Sequence, residues 1–186
     1  MPTMYIIAGP NGAGKTTASK TVLPEMLNCY QFVNADEIAK GLSPFSPESV
    51  SFQAGRIMLQ RIEDLLKEKN DFGIETTLAT RSYTNLIKRA RDNGFTIVLL
   101  FFWLPNADFA KKRVASRVAE GGHNIPVEVI ERRYKAGLLN FPVFINISDR
   151  WYIYNNESLP AELIARGGIE TETEITNLAI WEQLKK

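Results

Sequence analysis

Residues Gly9 to Thr16 read Gly-Pro-Asn-Gly-Ala-Gly-Lys-Thr, a complete GxxxxGK[ST] loop set directly after the apolar run Met4-Tyr5-Ile6-Ile7-Ala8. A strand feeding such a loop, with a helix opening at its lysine, commits the chain to wrapping a polyphosphate. A triphosphate crowds negative charge onto neighbouring oxygens and needs many donors in a small volume. Glycines let successive backbone N–H groups turn inward with no Cβ in the way. Gly9, Gly12 and Gly14 fill that role, and Pro10, Asn11, Ala13, Lys15, Thr16 and Thr17 complete the expected nucleotide contacts. Lys15 suits the β- and γ-phosphates, the Thr16 hydroxyl suits Mg²⁺, and the helix starting near Lys15 points its positive end at the anion. The cofactors expected from the loop are therefore ATP and Mg²⁺.

The 186 residues suffice for one domain with a sizeable core, and residues 1–186 are read as a single unit. A net charge of +1 gives no general attraction to nucleic acid or anionic membranes. The longest apolar stretch, Phe95 to Leu104, is too short to span a bilayer and reads as a central strand. No secretory signal is recognised, and the lone cysteine, Cys29, fits a reducing compartment, so a cytoplasmic protein is expected. One histidine and one cysteine cannot build a His/Cys metal cluster, which leaves Mg²⁺ held by oxygen atoms.

Strands alternate with helices along the chain. Lys15 to Leu27 reads as a helix ended or bent by Pro24, and Gln31 to Val33 as a second strand. Val50, Ala54, Ile57, Met58, Ile62, Leu65 and Leu66 form one helical stripe, with Ser46 as the expected cap and Pro47 as first residue. Phe72 to Thr77 is a third strand, Ser82 to Asn93 a helix stopped by Gly94, and Phe95 to Trp103 a strand covered on both faces. Asn106 to Asn140 reads as two helices broken at Glu120 to Pro126, a candidate mobile lid over 106–140. Trp151 to Tyr154 is a fifth strand, Glu162 to Glu172 a hairpin turning at Gly167-Gly168, and Glu174 to Leu184 a closing helix. This alternation implies right-handed βαβ crossovers and a mostly parallel sheet, with active residues at the carboxyl ends of its strands.

Phosphoryl transfer needs a phosphate cradle, a metal, a group that accepts the acceptor's proton, and cations that meet developing charge. Asp36, just past the second strand, is the expected base; Glu37 competes with it, and a capping role for Asp36 is the structural alternative. No acidic residue closely follows the fourth strand, so Asp36 is also expected to hold Mg²⁺ together with Thr16. Glu75 and Thr77 end the third strand, where they could hold hydroxyls of an acceptor. Arg113 and Arg117 share a helical face and repel weakly unless a polyanion lies between them; pairing of Arg117 with Glu120 is the alternative. Arg132 and Arg133 diverge by about 100° on a helix, so only one of them faces the phosphates. His123, in the glycine-rich break, is expected to hydrogen-bond within the lid.

With this loop, Asn-x-Asp after the second strand, Glu-x-Thr after the third and an arginine-bearing lid, the chain resembles the zeta toxin family of kinases from about Met4 to Asn156. The Gly-Gly-His-Asn-Ile-Pro and Glu-Arg-Arg-Tyr segments resemble its shorter bacterial branch. The resemblance implies an α/β P-loop kinase fold: a mostly parallel five-stranded sheet flanked by helices, with a helical lid. It also implies ATP bound by Gly9 to Thr16, catalysis by Lys15, Asp36, Arg113 and Arg117, and substrate contacts from Glu75, Thr77, His123 and Arg133. His123 stands where the toxins place a second lid arginine, which leaves Arg132 or Arg133 as substitutes. UDP-N-acetylglucosamine is the acceptor that the resemblance suggests, and an antitoxin protein the partner. A nucleic-acid end kinase, which would need a basic groove, and a nucleotide-dependent switch are the rival readings.

Overall fold

In the computed structural model, which describes residues 1–122 and 124–185, five strands pair in parallel. They are β1 (Thr3–Ala8), β2 (Gln31–Val33), β3 (Phe72–Thr76), β4 (Thr96–Trp103) and β5 (Arg150–Asn155), in the order β2-β3-β1-β4-β5. Two more strands, β6 (Glu162–Gly168) and β7 (Thr171–Ile175), extend the β5 edge antiparallel and bring the sheet to seven strands. The expected five strands are thus the parallel part of a larger sheet.

The unbroken apolar run of β4 is divided by the two-residue period of a strand. Ile97, Leu99, Phe101 and Trp103 join Met4, Ile6 and Ala8 of β1 in one core; Val98, Leu100 and Phe102 join Ile7 in the other. The first core is closed by α3 (Ser51–Glu68), α4 (Tyr83–Asp92) and the end of α6 (Val127–Asn146). The second lies under α1 (Lys15–Thr21), α5 (Ala107–Ala119) and the start of α6.

Several boundaries differ from expectation. α1 stops at Thr21, and Pro24, which has no N–H to donate, sits in a five-residue π-turn over Val22–Met26. Pro47 opens a 3-10 turn before α3, and the Ser46 hydroxyl bonds the Glu48 carboxylate instead of capping a backbone amide. The hairpin does form, but β6 runs through Gly168 and β7 takes up Glu174, which had been placed in the final helix. That helix, α7 (Leu178–Leu184), starts where Asn177 accepts the Ile180 N–H as its cap. The expected lid is not separate throughout its length, because α6 continues to Asn146 and buries Phe141 and Phe144 in the first core.

Candidate active site at the phosphate loop

The loop between β1 and α1 is held in shape by backbone that only glycine adopts readily. Gly9, Gly12 and Gly14 have φ of +141°, +77° and +73°. A Cβ on Gly9 would lie 2.3 Å from the Phe102 carbonyl oxygen, and one on Gly12 would lie 2.9 Å from that of Ala110 in α5. The Gly9 N–H donates to Thr76 O at 3.3 Å and Ala13 N–H to Pro10 O at 3.2 Å. The amides of Gly12, Gly14, Lys15, Thr16 and Thr17 donate to no acceptor among the described residues. Unpaired backbone donors clustered in one turn form a cradle for an anion.

Lys15 is buried, and its ammonium donates to Pro10 O at 3.0 Å. Burial pushes its pKa below the ordinary lysine value; Glu75 and then Asp36 pull it back up, while Arg117 pushes it further down. The fields of Asp36, Glu75 and Arg117 therefore converge on Lys15. Glu75 Oε1 lies 3.7 Å from Lys15 Nζ. Its other oxygen, Oε2, accepts from Thr16 Oγ1 and from Asn34 Nδ2, each at 2.8 Å.

Asn34 joins two elements. Its Oδ1 accepts the N–H groups of Asp36 at 2.8 Å and Glu37 at 3.4 Å, capping α2 (Ala35–Leu42). The alternative role of Asp36 as cap is thereby corrected: Asn34 caps, and Asp36 lies exposed in the first turn. Glu37 is paired with Lys40 at 2.7 Å, which holds its pKa below the usual carboxylate range.

The arginines separate. Arg113 donates to Glu157 O at 3.0 Å and lies 5.0 Å from the Phe109 ring, turned toward the segment after β5. Arg117 begins the helix stop: the Gly122 N–H donates to its carbonyl at 2.8 Å and the Gly121 N–H to Val118 O at 3.0 Å, with Gly121 at φ +87°. Arg133, half-buried, shares a small crevice with Pro10, Thr77, Phe101, Tyr134, Gly137 and Leu138, whereas Arg132 is exposed. α6 approaches the end of β3 so closely that a Cβ on Gly137 would lie 2.5 Å from Thr77 O. The expected role of His123 falls outside the described residues.

Two residues escaped the sequence reading of the site. Asn34 carried a usable signal, because Asn-x-x-Glu ahead of an apolar run is a capping pattern. Asn156 carried none; it is buried, and its Nδ2 donates to Ala13 O at 2.7 Å behind the loop. The side-chain oxygens of Asn11, within the loop, and Asn156, behind it, are buried without a partner in the described residues. A separate cavity of about 650 Å³ lies between the end of α6, the β6–β7 hairpin and α7, and none of the expected chemistry reaches it.

The cradle fits a triphosphate. The Thr16 hydroxyl spends its proton on Glu75 and keeps its lone pairs for a cation. No group of three or more metal-binding side chains occurs among the described residues, in keeping with a metal held largely by phosphate oxygens and water. Free amides ahead of a lysine-bearing helix, at the carboxyl edge of this parallel sheet, define a phosphate-loop protein of kinase-like fold. The chain belongs to the AAA-domain family, whose profile matches residues 4–141.

An uncharacterized protein of Haemophilus influenzae is 28% identical over 126 residues, covering 68% of this chain and 88% of that protein. Among solved structures, the AvrRxo1-ORF1:-ORF2 complex with ATP superposes at a TM-score of 0.79 and 17% identity, covering 100% of this chain and 64% of that one. This chain therefore spans less than two thirds of that relative's length. A chain of the PezAT chromosomal toxin–antitoxin system of Streptococcus pneumoniae superposes at 0.70 and 17% identity, covering 89% of this chain and 72% of that one. These are likenesses of fold, and they bear out the zeta toxin-like resemblance at that level. No described helix is long and apolar enough to cross a membrane.

Proposed function

We propose that the protein is an ATP-dependent kinase that transfers the γ-phosphoryl group to a hydroxyl of a small molecule, with UDP-N-acetylglucosamine the first acceptor to test. The observation that carries this reading is the set of unpaired amides of Gly12, Gly14, Lys15, Thr16 and Thr17 around a buried lysine. Bound magnesium ATP supplies the phosphoryl group and offsets charge on its oxygens. Lys15 leaves the Pro10 carbonyl for the phosphates, and Gly9 to Thr17 hold the rest of the chain of phosphates. Asp36, exposed and unpaired with lysine, takes the proton of the acceptor hydroxyl as its oxygen attacks the γ-phosphorus in line and the bond to the β–γ bridging oxygen breaks, releasing ADP; the paired Glu37 is the poorer base. Arg117, whose charge is already felt at Lys15, meets charge on the transferring group, and Arg113 supports it from the same helix. Arg133 and Thr77, joined in one crevice beside Pro10, orient the acceptor. The likeness to a PezAT chain supports an antitoxin-type protein partner as part of the same reading.

The test is direct. Purified protein is incubated with γ-labelled ATP and a metabolite pool containing UDP-N-acetylglucosamine, and the labelled product is identified by mass. Label on a small-molecule hydroxyl is expected. Label on nucleic-acid ends, or hydrolysis without any labelled acceptor, would overturn the reading.

A further inference from the structure

β7 ends the sheet: it pairs with β6 on one side only, and all five of its residues, Thr171–Ile175, are exposed. Among the described residues no strand lies beyond it, so the outward N–H and C=O groups of its backbone form an open row. Its two faces differ. The strand period sets Glu172 and Glu174 on one face and Thr171, Thr173 and Ile175 on the other. On the first face Arg166 pairs with Glu174 at 2.6 Å, while Glu172 has no ion-pair partner among the described residues. On the second face Thr173 borders the cavity of about 650 Å³, which Phe141, Trp151 and Trp181 also line. A space of that size takes an aromatic side chain with room to spare. The two tryptophans stack with centroids 5.5 Å apart, so α7 packs under β5; Ile169 and Ile175, flanking β7, stay 55% and 41% exposed.

We infer that the β7 edge is a docking site for an extended segment of a partner protein, which adds to the sheet as a further strand and alternates cationic with apolar residues. Main-chain hydrogen bonds hold the segment, its cationic side chains meet Glu172 and Glu174, and an apolar side chain opposite Thr173 enters the cavity. Charge selects this occupant over a second copy of the chain. Two β7 strands paired antiparallel about Thr173 would set glutamate against glutamate, which is destabilising. β7 stands four places along the sheet from β1, and the inference does not depend on the kinase reading.

The experiment uses the full chain and three peptides blocked at both ends. One is the alternating Lys-Val-Lys-Phe-Lys-Val-Lys; the second has the same composition in block order, Lys-Lys-Lys-Lys-Val-Phe-Val; the third is the acidic Glu-Val-Glu-Phe-Glu-Val-Glu. Calorimetry reads affinity, and amide hydrogen exchange reads the place. The alternating cationic peptide should bind about 10-fold tighter than either control and slow exchange across 171–175. Its affinity should not change when Mg²⁺ and AMP-PNP, a non-hydrolysable ATP analogue, are present. Glu172→Lys should weaken it about 10-fold, and Thr173→Arg, which sets a bulky cation over the cavity mouth, at least as much. Should Glu172→Lys fold poorly, Glu172→Gln carries the test with a loss of about 3-fold. No binding of the alternating peptide, equal binding of the block-order one, protection confined to other strands, displacement by AMP-PNP, or wild-type affinity in the variants would each overturn the inference. So would sedimentation showing that the wild-type chain dimerises through β7.

Discussion

The Asn156 amide donates from Nδ2 to the Ala13 carbonyl at 2.7 Å, tying the residue after β5 to the back of the phosphate loop. The Asn156 backbone N–H donates to Trp103 O at 3.1 Å, so the same residue is also anchored to the end of β4. A Cβ on Gly14 would lie 2.8 Å from that Nδ2, which accounts for a glycine there beyond its positive φ. The loop is thus braced from behind by one polar side chain while its front amides stay free.

Asn156→Ala leaves the Ala13 carbonyl buried without a donor. A loss of about 1–3 kcal/mol in stability is expected. Chemical denaturation should record it, and calorimetry should show weaker AMP-PNP binding, because the loop is no longer braced.

Gly12→Ala tests the packing of α5 on the loop. The new Cβ would sit 2.9 Å from Ala110 O and 3.1 Å from Arg113 Cβ, on a backbone at φ +77°. Strain of about 1–3 kcal/mol is expected, and α5 has to shift with its two arginines. Phosphoryl transfer should fall further than the folded fraction measured by melting.

Lys15→Ala and Asp36→Asn separate binding from chemistry. Without the lysine, transfer should drop about 100–1,000-fold, the scale for one lost donor to a developing charge. Asp36→Asn should lower kcat about 100–10,000-fold with little change in AMP-PNP affinity. Full transfer by Asp36→Asn would remove it as the base.

Alkaline pH should act through Tyr134. Its hydroxyl donates to Leu104 O at 2.8 Å, and burial pushes its pKa up to about 12. The folded state then keeps a proton that the unfolded chain loses near its ordinary value of about 10. Stability is full below about pH 10 and declines toward pH 12, by at most about 3 kcal/mol from this group. Urea unfolding at both ends of that window should show a smaller decline in Tyr134→Phe than in the wild type. At neutral pH that variant should be less stable by about 1 kcal/mol, for the lost hydrogen bond.

The parallel part of the sheet was legible because β1 and β4 are apolar runs, the first ending in the phosphate loop and the second preceded by the glycine that stops a helix, and the shorter strands alternate with helical stripes. β7 was not. Its Thr-Glu-Thr-Glu-Ile segment buries no side chain, and only pairing with β6 and the Arg166–Glu174 ion pair makes it a strand. The loop, Asp36 and the arginines were readable as residue types at strand ends. Where each side chain points was not, since the contacts that decide it are long-range: Asn34 meets Glu75 across 41 positions, and Asn156 meets Ala13 across 143. Of the adjacent arginines on α6, helical geometry required one to face inward, and packing against Thr77 and Pro10 selected Arg133.

α6 carries Arg133 near one end and Phe141 toward the other, where the phenyl ring meets Phe101 with centroids 4.4 Å apart. Eight helical positions, about 12 Å, separate the two. The cation beside the nucleotide loop is therefore aimed by a hydrophobic foundation. Damage to that foundation would first be felt as sluggish turnover in a molecule that still folds, and suppressors of such defects should arise among interior aromatics before any surface charge.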